Sequence, residues 1–303
     1  MKRGPLIAVV AGGALLLALG AALVWVLLRP AGPQAVAEDY FEALTRGDAA
    51  SALALVAAED VDATVAQAAF EGASGRISGV TVSGVDEDGE TATVSVAFSL
   101  DSQPGTAAVG LVRTADGWKV TESGLGSMAI SSTLGDAAAL GTAIVAADEP
   151  MLLLPARYDV IPAPVGILTG EASAAVVPGG AAAVDLQPRV ADGAVEAAAT
   201  QVQAYLDACV APTDSVPESC GIRVPWAADL AALASLAFRV ESAPTLAFSD
   251  DLSSFAATGG VLVATASGTT RDGSAGSFTY RTDEWSLRGG MTFTGNRLVL
   301  SVD

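Results

Sequence analysis

The only cysteines are Cys209 and Cys220, in "DACVAPTDSVPESC", with ten residues between them, and the chain has no histidine. A thiol pair can exchange electrons, hold a metal or close a disulfide. Redox exchange favours a C-x-x-C spacing, which is absent here. A structural zinc site needs four nitrogen or sulfur ligands, and neither histidines nor further cysteines exist to complete one. What remains is a structural disulfide or a pair of free thiols. A bridge closing the loop that holds Pro212 and Pro217 would stabilise the fold by about 3 kcal/mol on the chain-entropy account. Without histidine there is no Ser-His-Asp or Cys-His nucleophile, and nearly all transition-metal sites are ruled out.

Three other stretches imitate functional motifs. "GLGSMA" (124–129) matches G-x-G-x-x-A by letter but sits outside any βαβ pattern, so it does not read as a phosphate cradle. "DEDGE" (86–90) lacks the third acidic position and the distal glutamate of a calcium loop and reads as a solvated turn. Asp250 and Asp251 read as a turn or helix cap. No catalytic, cofactor-binding or metal-ligating residue is assigned, and no cofactor is expected.

The elements around the cysteines point to a compartment. Leu6–Leu28 is an uncharged run of 23 residues. As a helix at about 1.5 Å per residue it covers about 34 Å, enough for a hydrocarbon core of about 30 Å. Lys2 and Arg3 precede it, and the positive-inside rule places that end in the cytoplasm. The rival is a cleaved signal peptide. That needs a shorter apolar region and a nearby small-residue site, whereas the only such site, Ala35-Val36-Ala37, lies well past the apolar end. Residues 1–5 are then a cytoplasmic tail, 6–28 a transmembrane helix in the lipid bilayer and 29–34 a linker. The rest lies outside the plasma membrane, where thiols tend to oxidise.

After position 29 the chain carries 12 basic and 34 acidic residues, a net charge of −22. Such a surface repels nucleic acid and anionic headgroups, so no nucleic-acid partner is expected. Two lysines against thirteen arginines suggest the coding bias of GC-rich bacteria such as actinobacteria, with adaptation to high salt as the alternative.

Helical spacing of Val36, Tyr40, Phe41 and Leu44 is punctuated by Gly47, and Asp48 can cap a second helix over 49–57. A third, weaker helix covers 60–70. From 77 to 125 the period becomes two, which predicts an antiparallel meander. Residues 126–190 read as a small β module with strands at 151–154, 158–161, 172–177 and 181–186. Residues 193–210 and 225–235 are predicted helices. Two short strands broken by Pro244 follow, then four alternating strands, with a hairpin turn at Gly295-Asn296.

"AEDYFEALTRGDAASALALV", with Tyr40, Phe41, Gly47 and Asp48, together with "DGWKVTES" (116–123), resembles the nuclear transport factor 2-like family. The resemblance implies an α+β cone, with helices packed on a curved antiparallel sheet. It covers about 34–125. By order of elements alone it also covers 191–303, where "VQAYLDAC" stands in the place of "AEDYFEAL". The expected architecture is therefore a first cone-like domain at 35–125, a small β module at 126–190 and a second cone-like domain with the disulfide at 191–303. One span followed by tandem external modules also resembles single-pass envelope proteins of Gram-positive bacteria, including the teicoplanin-resistance-associated type. Those often begin with a four-cysteine zinc ribbon, where this sequence has Met1–Pro5.

Some enzymes of the cone family set an Asp base and a Tyr or Asp donor in an apolar pocket. Here Tyr40, Tyr280 and Asp283 could take those roles, with Trp118 and Trp285 as walls. The bland alternative is core packing and exposed turn charge. The expected function is a membrane-anchored, non-enzymatic interaction or ligand-sensing protein of the bacterial cell envelope, with an envelope protein or the cell wall as partner. The alternatives are a cone enzyme of isomerase or dehydratase type acting on a small apolar molecule, and an inert spacer.

Overall fold

The computed structural model describes residues 31–303. The expected tail, the span at 6–28 and the start of the linker lie outside the described residues. Among the described residues no helix is long and apolar enough to cross a membrane.

The described chain opens with three helices, α1 (Pro33–Arg46), α2 (Ala49–Ala54) and α3 (Ala63–Glu71). Proline in the first turn of α1 suits a position whose N–H would be unpaired anyway. Gly47 ends α1 in the left-handed conformation (φ 77°), and its N–H bonds the carbonyl of Leu44. The Asp48 carboxylate caps α2 through the Ser51 N–H, and Asp62 caps α3 through those of Thr64 and Val65.

Fourteen strands follow: β1 (Gly75–Arg76), β2 (Ser78–Asp88), β3 (Thr91–Leu100), β4 (Gln103–Thr114), β5 (Gly117–Val120), β6 (Gly126–Ser132), β7 (Ala137–Leu140), β8 (Ala143–Ala146), β9 (Met151–Leu153), β10 (Ala156–Ala163), β11 (Leu168–Thr169), β12 (Ala172–Val176), β13 (Ala181–Leu186) and β14 (Arg189–Val190). The last part holds α4 (Gly193–Cys209), β15 (Leu230–Ser242), β16 (Thr245–Phe248), β17 (Ser254–Thr270), β18 (Ala275–Thr294) and β19 (Arg297–Val302).

Strands β2 to β5 form an antiparallel meander in chain order. Strand β10 joins β1, β7 and β12, and β7 continues to β8. Strand β6 pairs β13 in parallel and β9 antiparallel, and β11 pairs β14. In the last part β17 is central, with β15 and β16 on one side and β18, then β19, on the other.

One buried cluster runs from Val36 and Tyr40 on α1, through Val94 and Val96 on β3, to Met128, Tyr158 and Leu186. A second holds Val202 and Leu206 of α4 against Phe255, Trp285 and Leu287. A third joins Leu168 to Ala198, Met291 and Phe293. Each fully buried large apolar side chain contributes about 1.5–3 kcal/mol, so these seams decide what moves together.

The β7–β8 turn docks on the end of α3 at Gly141 (φ +58°). A Cβ there would lie 2.7 Å from the Ala68 carbonyl and 3.0 Å from Gly72 Cα. Gly141→Ala is therefore expected to cost about 2–4 kcal/mol, from left-handed strain plus overpacking. A urea midpoint equal to that of the unchanged protein would contradict this contact.

The expected pair of cones is not the fold. The described residues are mostly strand, 52% against 19% helix, in several antiparallel sheets rather than helices laid on a curved sheet. Of residues 126–190, Met128, Tyr158 and Leu186 lie in the same buried cluster as Val36 and Tyr40, while Leu168 lies in the third cluster. In the last part the helix expected over 225–235 is a short 3-10 turn, Trp226–Ala228, followed by strand β15. The reason is visible in the register. Leu230, Leu233 and Leu236 recur every three residues, which looks helical. The pairing of β15 with β17 shifts between Leu230 and Ala232 and again between Leu233 and Ser235. Each bulge inserts one residue and flips the parity, so all three leucines join the same apolar cluster from a strand. Local helix propensity yields to cross-strand pairing. The four strands expected after 258 are three, because β18 runs unbroken for 20 residues.

Candidate functional site

Helix α4 buries Ala194, Ala198, Val202, Leu206 and Cys209, spaced by four, four, four and three, which is one helical face. Cys209 is its last residue. The loop beyond it returns so that Cys220 lies 5.6 Å away by Cα, with the sulfurs at bonding distance, 2.03 Å. Both cysteines are buried against Trp285. The Trp285 indole N–H donates to the Cys220 carbonyl (2.8 Å), and the Tyr205 hydroxyl donates to that of Ser219 (3.0 Å).

The same loop is fixed further along. Thr213 and Leu236 exchange two backbone hydrogen bonds, of 3.1 and 2.6 Å. The Arg271 guanidinium donates to the Ala227 carbonyl (3.2 Å), and the Tyr280 hydroxyl donates to the Asp229 carboxylate (2.8 Å). A long irregular segment would otherwise be free to open. Here it is a strap over β15 and β18, anchored at intervals, with Cys220 in its middle and Cys209 at the end of α4 where it starts.

The residues considered as an acid-base set do not come together. Tyr40 is fully enclosed in the first core and donates to the Gly124 carbonyl (2.8 Å). Burial, and then the neighbouring Tyr158, push its hydroxyl far above the usual tyrosine range. Tyr158 is raised by burial too and donates to the Leu154 carbonyl (2.5 Å). Tyr280 is at the strap, where burial and then Asp229 raise it. Asp283 pairs with Arg281 (2.7 Å), which also pairs with Glu241. Trp118 and Trp285 belong to different buried clusters. Tyr158, Asp229 and Glu241 were not singled out from sequence; Asp229 and Glu241 meet Tyr280 and Arg281 only through the folding of the last sheet.

The imitated motifs are structural. Gly124 ends a 3-10 turn and Gly126 opens β6, so "GLGSMA" runs into a strand and not a helix. "DEDGE" is the β2–β3 hairpin, with Gly89 at φ +64°. Asp251 accepts from Ser249 and Ser253, which hold its carboxyl below the usual range. Asp272, at the β17–β18 turn, is lowered to about 2 by the hydroxyls of Ser274 and Thr270. Among the described residues no group of three or more acidic or cysteine side chains is placed to hold a metal.

Two surface hollows carry side chains able to bind. One, of about 510 Å3, includes Glu87, Asp116 and Trp118, with the Arg113 guanidinium 4.9 Å over the Trp118 ring and 3.6 Å from Glu87. The other, of about 360 Å3, lies between α1 and β2, with Phe41, Val80 and Val82 below and Glu38 and Glu42 at the rim. No family model, no curated protein and no solved structure matches the chain.

Proposed function

We propose that the chain is a membrane-anchored extracytoplasmic protein of a bacterial cell envelope that binds a partner or ligand and performs no catalysis. The observation that carries this reading is the buried pair Cys209 and Cys220, at bonding distance in a chain whose residues 6–28 form an uncharged apolar run behind Lys2 and Arg3. An oxidised pair suits an oxidising compartment, and the apolar run suits a single span with its basic end inside. The order of one span and external modules, shared with single-pass envelope proteins, supports the same placement. Against an acid-base enzyme, Tyr40, Tyr280 and Asp283 are committed to three separate structural partners.

The test is to lyse expressing cells in denaturant with excess alkylating reagent and weigh the intact chain. The expected mass is two hydrogens light with no adduct. Two adducts would show free thiols and remove the observation on which the reading stands.

A further inference from the structure

We propose that α1 and β2 form a docking groove for an extended cationic segment of a partner protein, which adds to the first sheet as an outer strand. The inference rests on the binding reading above but not on its topology. Strand β2 is the outer strand of its sheet, which runs in the order β2, β3, β4, β5. It is 11 residues long and mostly exposed. The edges of the last sheet are guarded differently: Thr213 bonds the backbone of Leu236 on β15, and the Gln201 side chain bonds the Leu298 carbonyl on β19. Among the described residues no backbone group bonds the outer side of β2.

Long edges are usually protected by charged side chains, lysine above all, by proline and by bulges. The sequence of β2, "SGVTVSGVDED", has no lysine, arginine or proline, and its three acids, Asp86, Glu87 and Asp88, stand together at its end, leaving the stretch beside α1 uncharged. Its register against β3 shifts between Ser78 and Thr81 and between Val82 and Gly84. Bulges of this kind occur at guarded sheet edges as well as beside binding sites, and in both places they re-aim side chains. Here Val80 and Val82 pack toward the first core next to Phe41 of α1, forming an apolar floor beside the open edge. A strand laid on β2 would have its alternate side chains over this floor, the usual division between backbone affinity and side-chain selectivity in strand addition.

The charge selects the occupant. Glu38 and Glu42 stand on the α1 rim, and Asp86, Glu87 and Asp88 end the strand. Glu38 accepts from the neutral Gln34 amide (2.8 Å), while Glu42 pairs with Arg46 and Glu87 with Arg113 (3.6 Å), so the net negative charge comes from Glu38, Asp86 and Asp88. No basic residue lines the groove. A segment alternating apolar and Lys or Arg residues matches both the floor and the rim. A second copy of this chain matches poorly, because its own β2 and α1 carry the same negative charge.

The experiment uses the full-length chain in detergent micelles and a fluorescein-labelled acetyl-KVKVKVK-amide peptide, followed by anisotropy. Saturable binding is expected, with slowed hydrogen exchange confined to β2. N-methylation of alternate peptide nitrogens should weaken binding by about tenfold or more, since it removes strand hydrogen bonds and keeps the charge. The pair Glu38→Lys and Glu42→Lys, both exposed, should weaken it by about tenfold and favour EVEVEVE instead. Equal binding of the methylated peptide would overturn strand addition in favour of charge adhesion. No binding, or a dimer that protects β2 without peptide, would overturn the proposal while leaving the oxidised cysteines and the anchoring untouched.

Discussion

Replacing both Cys209 and Cys220 with serine is expected to destabilise the last part of the chain by about 3 kcal/mol and leave the first core intact. The bridge would close a separation of 11 residues between α4 and the strap, removing loop freedom from the unfolded chain. Its loss also loosens the native side, because Cys220 holds its carbonyl on the Trp285 indole and packs in the same cluster as Leu206. Hydrogen exchange read by peptide gives the answer directly. Faster exchange should appear across α4, the strap and β15, and residues 36–186, which form the first cluster, should keep their rates. Unchanged exchange at the strap would mean that its other anchors, Thr213 and Tyr280, suffice without the bridge. Equal loosening of both parts would mean that the cores are not separate cooperative units.

Raising the pH above about 10 is expected to unfold the first core steeply. Tyr40 and Tyr158 are both buried there, and burial raises both hydroxyls above the ordinary tyrosine value near 10. The folded state therefore keeps protons that the unfolded state releases. That stabilisation is complete below the unfolded pKa near 10 and is lost progressively as pH climbs from there toward the folded values. Each such tyrosine steepens the loss by up to about 1.4 kcal/mol per pH unit. Tyr40→Phe removes one of them and also the hydrogen bond to the Gly124 carbonyl. It should cost about 1 kcal/mol at pH 7 yet flatten the decline between pH 10 and 11. Urea midpoints at a series of pH values separate the two effects. A slope identical to that of the unchanged protein would show that these hydroxyls are not what fails in alkali.

The opening of the described chain was legible because its signals are local. Gly47 and Asp48 stop one helix and cap the next, and the alternation of β3 reads directly as a strand with one buried face. The pairing of Cys209 with Cys220 was also within reach, since a chain with two cysteines has one possible intramolecular bridge. What stayed hidden depends on register and distance. The spacing of Leu230, Leu233 and Leu236 mimics a helix until the two bulges in β15 are seen. Short alanine-rich strands such as β7 carry little alternation and were missed, although β7 is buried at every position. The groove between α1 and β2 has no sequence signature, because Glu38 and Val80 are neighbours only through packing.

The most direct test of the central claim is protease accessibility of the full-length chain, with an epitope after Asp303, in intact bacterial spheroplasts. The account predicts that added protease removes the epitope before any lysis, leaving a short membrane-embedded N-terminal remnant. An epitope protected until the membrane is broken would place residues 31–303 inside the cell and contradict the extracytoplasmic reading.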